Sequence, residues 1–335
     1  MLISCCLIGF GRIGQIHYKN ITFSLNRSKW KLLYIVESQE KIDNVNEIIK
    51  DPEIIATSSL ETALNDPKVN CVFICSPTNM HHYHIITCLK YNKHVFCEKP
   101  IDETIENINH CYDYAEKNNL HLFCALNRRF DNEICKLKTN IHSIGNINQI
   151  ISITRDYPYP NVSFLKNSSG LFNDCALHDI DYINWILDDK PKYVYVTARC
   201  CKPSNISADE YDDSSILMEY SSGIRAFIYC SRISKTYDQR VEIFGDQGIL
   251  TVINPYGDVD TFTNYDRYIC FQHRYEQSYM NELEYFYNVI VKKESMLITK
   301  EDCLTNLRII KACQESCNSK KRVEVNYDIH LKNVI

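Results

Sequence analysis

Hydrophobic and polar positions along this 335-residue chain fall into two textures. Up to about residue 126, continuous apolar runs at 2–8, 31–36, 54–57, 70–76, 93–97 and 121–126 alternate with stretches at helical spacing at 13–25, 41–50, 80–91 and 104–118. A strand that is apolar on both faces is one with helices on both sides, so this half reads as a doubly wound parallel sheet. After Gly145 the apolar positions alternate, along 147–156, 193–201, 214–220, 224–231, 240–244 and 249–253, with Ser222-Gly223 and Gln247-Gly248 as turns. Strands of that kind bury one face. The expected fold class is α/β, with a domain at 1–126 and a second at 127–335 that holds a large, open, mostly antiparallel sheet. Helices cover one face of that sheet and the other calls for a partner, which predicts a homo-oligomer.

The joint between the first apolar run and the first helical stretch is Gly9-Phe10-Gly11-Arg12-Ile13-Gly14, a G-x-G-x-x-G that uses three of the nine glycines in the chain. In a strand-turn-helix unit the first glycine makes the turn and the second lets the backbone approach a pyrophosphate. The third lets helix pack on strand, and the helix N-terminus presents N–H groups to the phosphate oxygens. The motif alone is weak, and its flanks decide. Glu37 ends the second apolar run about 20 residues further on, where a carboxylate accepts hydrogen bonds from a ribose diol and repels a 2'-phosphate. That favours NAD over NADP, with Ser38 and Lys41 close enough to soften the preference.

Ligands of a parallel sheet bind beyond the carboxyl ends of its strands. This places Ser76-Pro77-Thr78-Asn79 beside the glycine loop, with His81 near the cofactor, and Glu98-Lys99-Pro100 at the end of the next strand. A lysine at the start of a loop is ordinarily just solvated. Downstream of a nucleotide loop it has its ammonium where a substrate hydroxyl would lie. In the second half, Asp174 and His178 are four residues apart on a helix at 170–187 and share a face that Asp181 extends. A carboxylate beside an imidazole fixes its tautomer and raises its pKa, which suits the proton acceptor that alcohol oxidation needs.

Composition removes several other classes. A formal net charge of −5 gives no basic field for nucleic acid or an anionic membrane surface. No run reaches the ~20 apolar residues of a membrane span. The first strand starts at Leu2 with no room for a leader, so the expected location is cytoplasmic. The 17 cysteines are odd in number and scattered, with no C-x-x-C pair, as befits buried reduced thiols. His81, His82 and His84 lack further ligands, and no metal site is expected. Asn-x-Ser/Thr triplets at Asn161, Asn167 and Asn205 mean little in a cytosolic chain.

The glycine loop, Ser76-Pro77-Thr78 with His81, Lys93 to Pro100, Asn127-Arg128-Arg129-Phe130-Asp131 and Asp174-x-x-x-His178-Asp179-x-Asp181 together resemble the glucose-fructose oxidoreductase/inositol dehydrogenase/rhizopine catabolism family, above all its inositol 2-dehydrogenase branch. The likeness runs on through Val241 to Gly245, Glu282-Leu283-x-x-Phe286 and the helix from Asp302 to Ser316. It implies a Rossmann domain followed by an α/β domain whose open sheet makes dimer or tetramer contacts, and NAD(P)-dependent oxidation of a cyclic polyol or sugar. By position, Lys99 would hydrogen-bond the reacting hydroxyl, His178 would take its proton and Asp174 would orient His178. Gly9 to Gly14, Glu37, Ser76 to Asn79, His81, Glu98, Lys99 and Asn127 would line the cofactor, and Arg129, Asp181 and Tyr237 the substrate. Ser169 departs from the family, which usually has a glycine there ahead of Gly170. Other family substrates, a cofactor-sensing regulator without turnover and a redox-assisted glycosidase are the competing readings.

Overall fold

The computed structural model describes residues 1–161, 165, 168–202, 211–253 and 270–328, so the triplets at Asn167 and Asn205 lie outside the described residues. Two compact units result: Met1–Phe130 with Gln277–Cys303, and Asp131–Glu276 with Leu304–Ile335.

The first unit alternates β1 (Ile3–Ile8), α1 (Arg12–Thr22), β2 (Trp30–Val36), α2 (Ile42–Ile48), β3 (Ile55–Thr57), α3 (Leu60–Asn65), β4 (Cys71–Ile74), α4 (His81–Lys90), β5 (His94–Glu98), α5 (Ile105–Lys117) and β6 (Leu122–Ala125). The sheet is parallel throughout, in the order β3-β2-β1-β4-β5-β6. Strand order reverses between β1 and β4, and there the crevice for a dinucleotide opens. Helix α3 has only six residues, capped by Ser59, whose Oγ accepts from the Thr62 N–H at 3.2 Å. That is too short to leave a periodic trace.

Phe73, Phe96 and Phe123 are register neighbours on β4, β5 and β6, with ring centroids 4.9 and 5.1 Å apart. Phe286, on the helix Glu276–Lys292, lies 5.3 Å from Phe123 and stacks on Trp30. A division after residue 126 counts this helix with the second domain. The compact units count 277–303 with the first, because the Leu283, Phe286 and Tyr287 stripe buries on this aromatic ladder.

The second unit contains α6 (Asn132–Asn140), β7 (Ile147–Arg155), β8 (Pro191–Arg199), β9 (Asp213–Tyr220), β10 (Arg225–Ser231), β11 (Asp238–Gly245), β12 (Ile249–Val252) and β13 (Val323–Glu324). Its sheet runs β12-β11-β7-β10-β9-β8-β13, with β7 and β10 parallel and the other pairs antiparallel. Ile150, Ile216, Met218, Ala226, Ile228 and Ile243 face inward and are buried. Tyr195, Tyr229 and Phe244 are 40%, 43% and 45% exposed, so large apolar side chains stand on the opposite face. The helix Leu177–Leu187 covers the inner face, preceded by a π-helical turn at Phe172–Ala176.

Candidate active site

The glycine loop is built by close approach. Gly9 has φ +88, and a Cβ there would sit 2.7 Å from the Cys75 carbonyl oxygen and 2.8 Å from the Ser76 nitrogen. At Gly14 a Cβ would meet the Gly9 carbonyl oxygen at 2.1 Å, so α1 packs directly on the turn. Gly11 differs: among the described residues nothing lies within 4 Å of a Cβ built on it, and it caps α1 without a side-chain hydrogen bond or an acid in the first turn. Open space before the N-terminus of a helix fits a pyrophosphate. Phe10 is buried edge-on against Tyr18, while Arg12 is exposed and Ile13 half-buried. Gly14→Ala is expected to cost about 3 kcal/mol, since backbone has to move. Chemical denaturation and fluorescence titration with NAD check it, the expected result being loss of both stability and cofactor affinity.

Glu37 stands just past β2, where its Oε1 lies 2.6 Å from Lys41 Nζ and its Oε2 accepts from the Ser38 N–H at 3.1 Å. Lys41 is thus an ion-pair partner of the carboxylate assigned to the ribose.

The loops after β4 and β5 are tied together by His81. Its Nδ1 lies 2.7 Å from the Pro100 carbonyl oxygen and its Nε2 2.8 Å from that of Ser76. The imidazole is buried, and burial holds its pKa below the ordinary value against the pull of the two carbonyls. Gly9 packs so close to Ser76 that a Cβ would clash with it, and the His81 ring lies against the carbonyls of both Ser76 and Pro100, donating to one of them when neutral. Three loops therefore converge at the carboxyl edge of the sheet, and Lys99, joined to Pro100 by a cis peptide, is half-buried among them. Pro77 and Asn79 are exposed and Thr78 half-buried. Ser76 Oγ also lies 2.9 Å from His84 Nδ1.

His84 and His94 are both pushed down to about 4, by burial first and then by His81 and His121 respectively. An unfolded histidine takes a proton near pH 6.5 and these folded ones do not, so stability is full above that pH and falls as pH drops toward 4. With partial exposure discounted, each should cost about 1 kcal/mol between pH 6.5 and 5. Urea midpoints across that range are expected to fall in the wild type and to flatten in His84→Gln/His94→Gln.

Glu98 is buried behind the loops with His17 Nε2 2.6 Å from its Oε1. Glu282 is fully buried, and among the described residues neither of its oxygens has a hydrogen-bond partner. Among the described residues, His17, Glu98 and Glu282 form one group whose ligand atoms all lie within 4.8 Å of one another. Burial, then the charge of Glu98, pushes the Glu282 pKa well above the carboxylate range, so a proton balances the charge. Asn127 and Arg129 are buried in the short 3-10 turn Asn127–Phe130; Arg129 Nη2 is 2.9 Å from Asp302 Oδ1, and Nη1 donates to the Leu297 carbonyl.

The second unit holds the acid-base helix. Asp174 lies in the π turn and His178 on the helix after it, both half-buried. Asp179 is fully buried and accepts from Ser152 Oγ at 2.7 Å and Thr154 Oγ1 at 2.8 Å, which pins the helix to β7. Asp181 is buried and accepts from Asn306 Nδ2 at 2.8 Å; Tyr237 is buried just before β11. Asn173 Nδ2 donates to the Ser169 carbonyl at 3.0 Å, so the turn bearing the departure from the family is hydrogen-bonded to this helix. Sequence reasoning missed Arg232: fully buried, with Nη2 2.8 Å from Asp174 Oδ2. An arginine just past a strand gives no periodic signal that it points inward. The π turn was also hidden, because i, i+4 spacing reads the same as in an α-helix.

A family model described as an oxidoreductase family with an NAD-binding Rossmann fold matches residues 3–126, and the model of that family's C-terminal alpha/beta domain matches 138–325. A myo-inositol 2-dehydrogenase of Thermotoga maritima is 29% identical, over 95% of this chain and 97% of the relative. An inositol 2-dehydrogenase of Rhizobium meliloti is 28% identical, over 97% of this chain and 100% of the relative. Among solved structures, scyllo-inositol dehydrogenase from Lactobacillus casei with bound NAD(H) and scyllo-inositol matches with TM-score 0.84 and 28% identity, over 97% of this chain and 99% of that one. Among the described residues, no helix is long and apolar enough to cross a membrane.

Proposed function

We propose, for a chain that belongs to this NAD-binding oxidoreductase family, that it is an NAD-dependent dehydrogenase of an inositol-type cyclic polyol. The observation that carries the reading is the chain of contacts from Gly9 through Ser76 and His81 to Pro100, which brings Lys99 to the nucleotide loops. The similarity to inositol dehydrogenases along both units supports the substrate class.

Oxidation takes a hydride from the carbinol carbon and a proton from its hydroxyl; bound NAD supplies the hydride acceptor. Lys99 donates a hydrogen bond to the hydroxyl oxygen and stabilises the charge that grows as the O–H bond breaks. His178 takes the proton, and Asp174 orients it. Arg129, Asp181 and Tyr237 are assigned to the other hydroxyls of the polyol. Asp302 and Asn306 hold the first two in fixed orientations. Glu37 favours NAD over NADP by repelling a 2'-phosphate, and its pairing with Lys41 makes that preference less than absolute. The exposed apolar face of the second sheet suits a homodimer or homotetramer, and a cytosol keeps the thiols reduced.

Purified protein mixed with NAD and a panel of inositols and aldoses should generate reduced nicotinamide, with an inositol the preferred substrate. Turnover of aldoses alone would move the chain out of the inositol branch, and release of free sugar from a glycoside would reveal the glycosidase reading.

A further inference from the structure

Arg232 directly follows β10, and its side chain is fully buried. A guanidinium does not lose its proton in a protein, so this is a permanent positive charge inside the second unit and needs an anion. It has one in Asp174 Oδ2, 2.8 Å from Nη2, while Nε donates to Cys175 Sγ at 3.3 Å. The backbone N–H of Arg232 is fixed as well, donating to the Asp212 carbonyl at 2.8 Å. Two consecutive residues of the π turn are therefore held from one rigid point. Other titratable groups around it are Cys230 on β10, whose thiol feels both Arg232 and Asp179, and Asp212, whose carboxylate accepts the N–H groups of Cys201 and Lys202.

We propose that Arg232 is a positioning residue that fixes the Asp174 carboxylate and offsets its charge, so that the base proposed for the reaction is an Arg232–Asp174–His178 relay rather than an Asp–His pair. A lone carboxylate four residues before an imidazole favours the imidazolium and keeps the histidine protonated to higher pH. Pairing the carboxylate with a guanidinium offsets that field, so Asp174 would favour the imidazolium less than a lone carboxylate would. Asp174 then supplies orientation and Arg232 supplies the charge balance.

This inference rests on the dehydrogenase reading, and the experiment separates the two by reading His178 without turnover. NMR titration of its imidazole in the full chain, with the resonance assigned by its absence in His178→Gln, compares wild type, Arg232→Gln and Arg232→Lys. In Arg232→Gln the midpoint should rise by about one pH unit, and in Arg232→Lys it should stay near wild type because the charge is kept. In the active enzyme, kcat for the polyol should fall about 30-fold in Arg232→Gln with KM for NAD unchanged. Arg232→Lys should lose about 5-fold, since one ammonium cannot hold both Asp174 and Cys175 in place. An unmoved His178 midpoint in Arg232→Gln overturns the proposal. If that variant does not fold, Arg232→Lys decides: lowered kcat with an unmoved midpoint supports the relay, and wild-type kcat overturns it. Absence of turnover in the wild type would sink the dehydrogenase reading and leave the titration to judge the inference by itself.

Discussion

Lys99→Met is expected to lower kcat/KM for the polyol about 10³-fold while NAD affinity changes by no more than about threefold. Methionine keeps much of the length of the lysine stem and removes only the ammonium. What should be lost is the donor proposed for the hydroxyl oxygen as negative charge develops there. The position can bear a precise role. Val95, Phe96 and Cys97 on β5 are completely buried, so the strand that delivers Lys99 is packed on both faces. Glu98 and Pro100 on either side are held by His17 and His81. Steady-state kinetics with a fluorescence titration of NAD checks the split. A loss below about tenfold, or an equal loss in cofactor binding, would show that Lys99 only helps to shape the loop.

The second large effect is expected at His178. His178→Gln should reduce kcat by 10² to 10⁴-fold, the range for removing a positioned general base, with little change in stability. The imidazole is half-buried and the helix does not depend on it, since Asp179, bonded to Ser152 and Thr154, fastens the helix to β7. The pH dependence supplies a signature that folding defects cannot imitate. The wild-type rate should rise with pH through the His178 titration, whereas the residual rate in His178→Gln should rise with no inflection there, because solvent then takes the proton. Thermal unfolding and pH-rate profiles of both proteins decide it. An inflection that survives the substitution would assign the base elsewhere.

Much of the first unit is legible in the order of residues because its physics is local. Strands such as Cys5-Cys6-Leu7-Ile8 and Cys71-Val72-Phe73-Ile74 are apolar on both faces and can sit only in the middle of a parallel sheet, and three glycines in six residues mark the turn that follows. The Leu283-Phe286-Tyr287 stripe is equally plain as a helix. Its spacing cannot say which sheet it covers, and the aromatic ladder of the first unit, formed by strands nearly two hundred residues earlier, makes that choice. The same limit holds for the site. Asp174 and His178 announce themselves by their separation, while Arg232 and Glu282 gain meaning only from burial beside groups far away in the chain. His81 lies close to the loop expected from the sequence. Its ring is wedged between the backbone carbonyls of Ser76 and Pro100, a role no spacing rule suggests.

The measurement that bears most directly on the account is a crystal structure of the full chain with NAD and an inositol trapped together. Lys99 Nζ and His178 are predicted to lie within hydrogen-bonding reach, about 3 Å, of one and the same hydroxyl, with its carbon facing the nicotinamide. A complex in which the polyol hydroxyl nearest the nicotinamide touches neither side chain would contradict it.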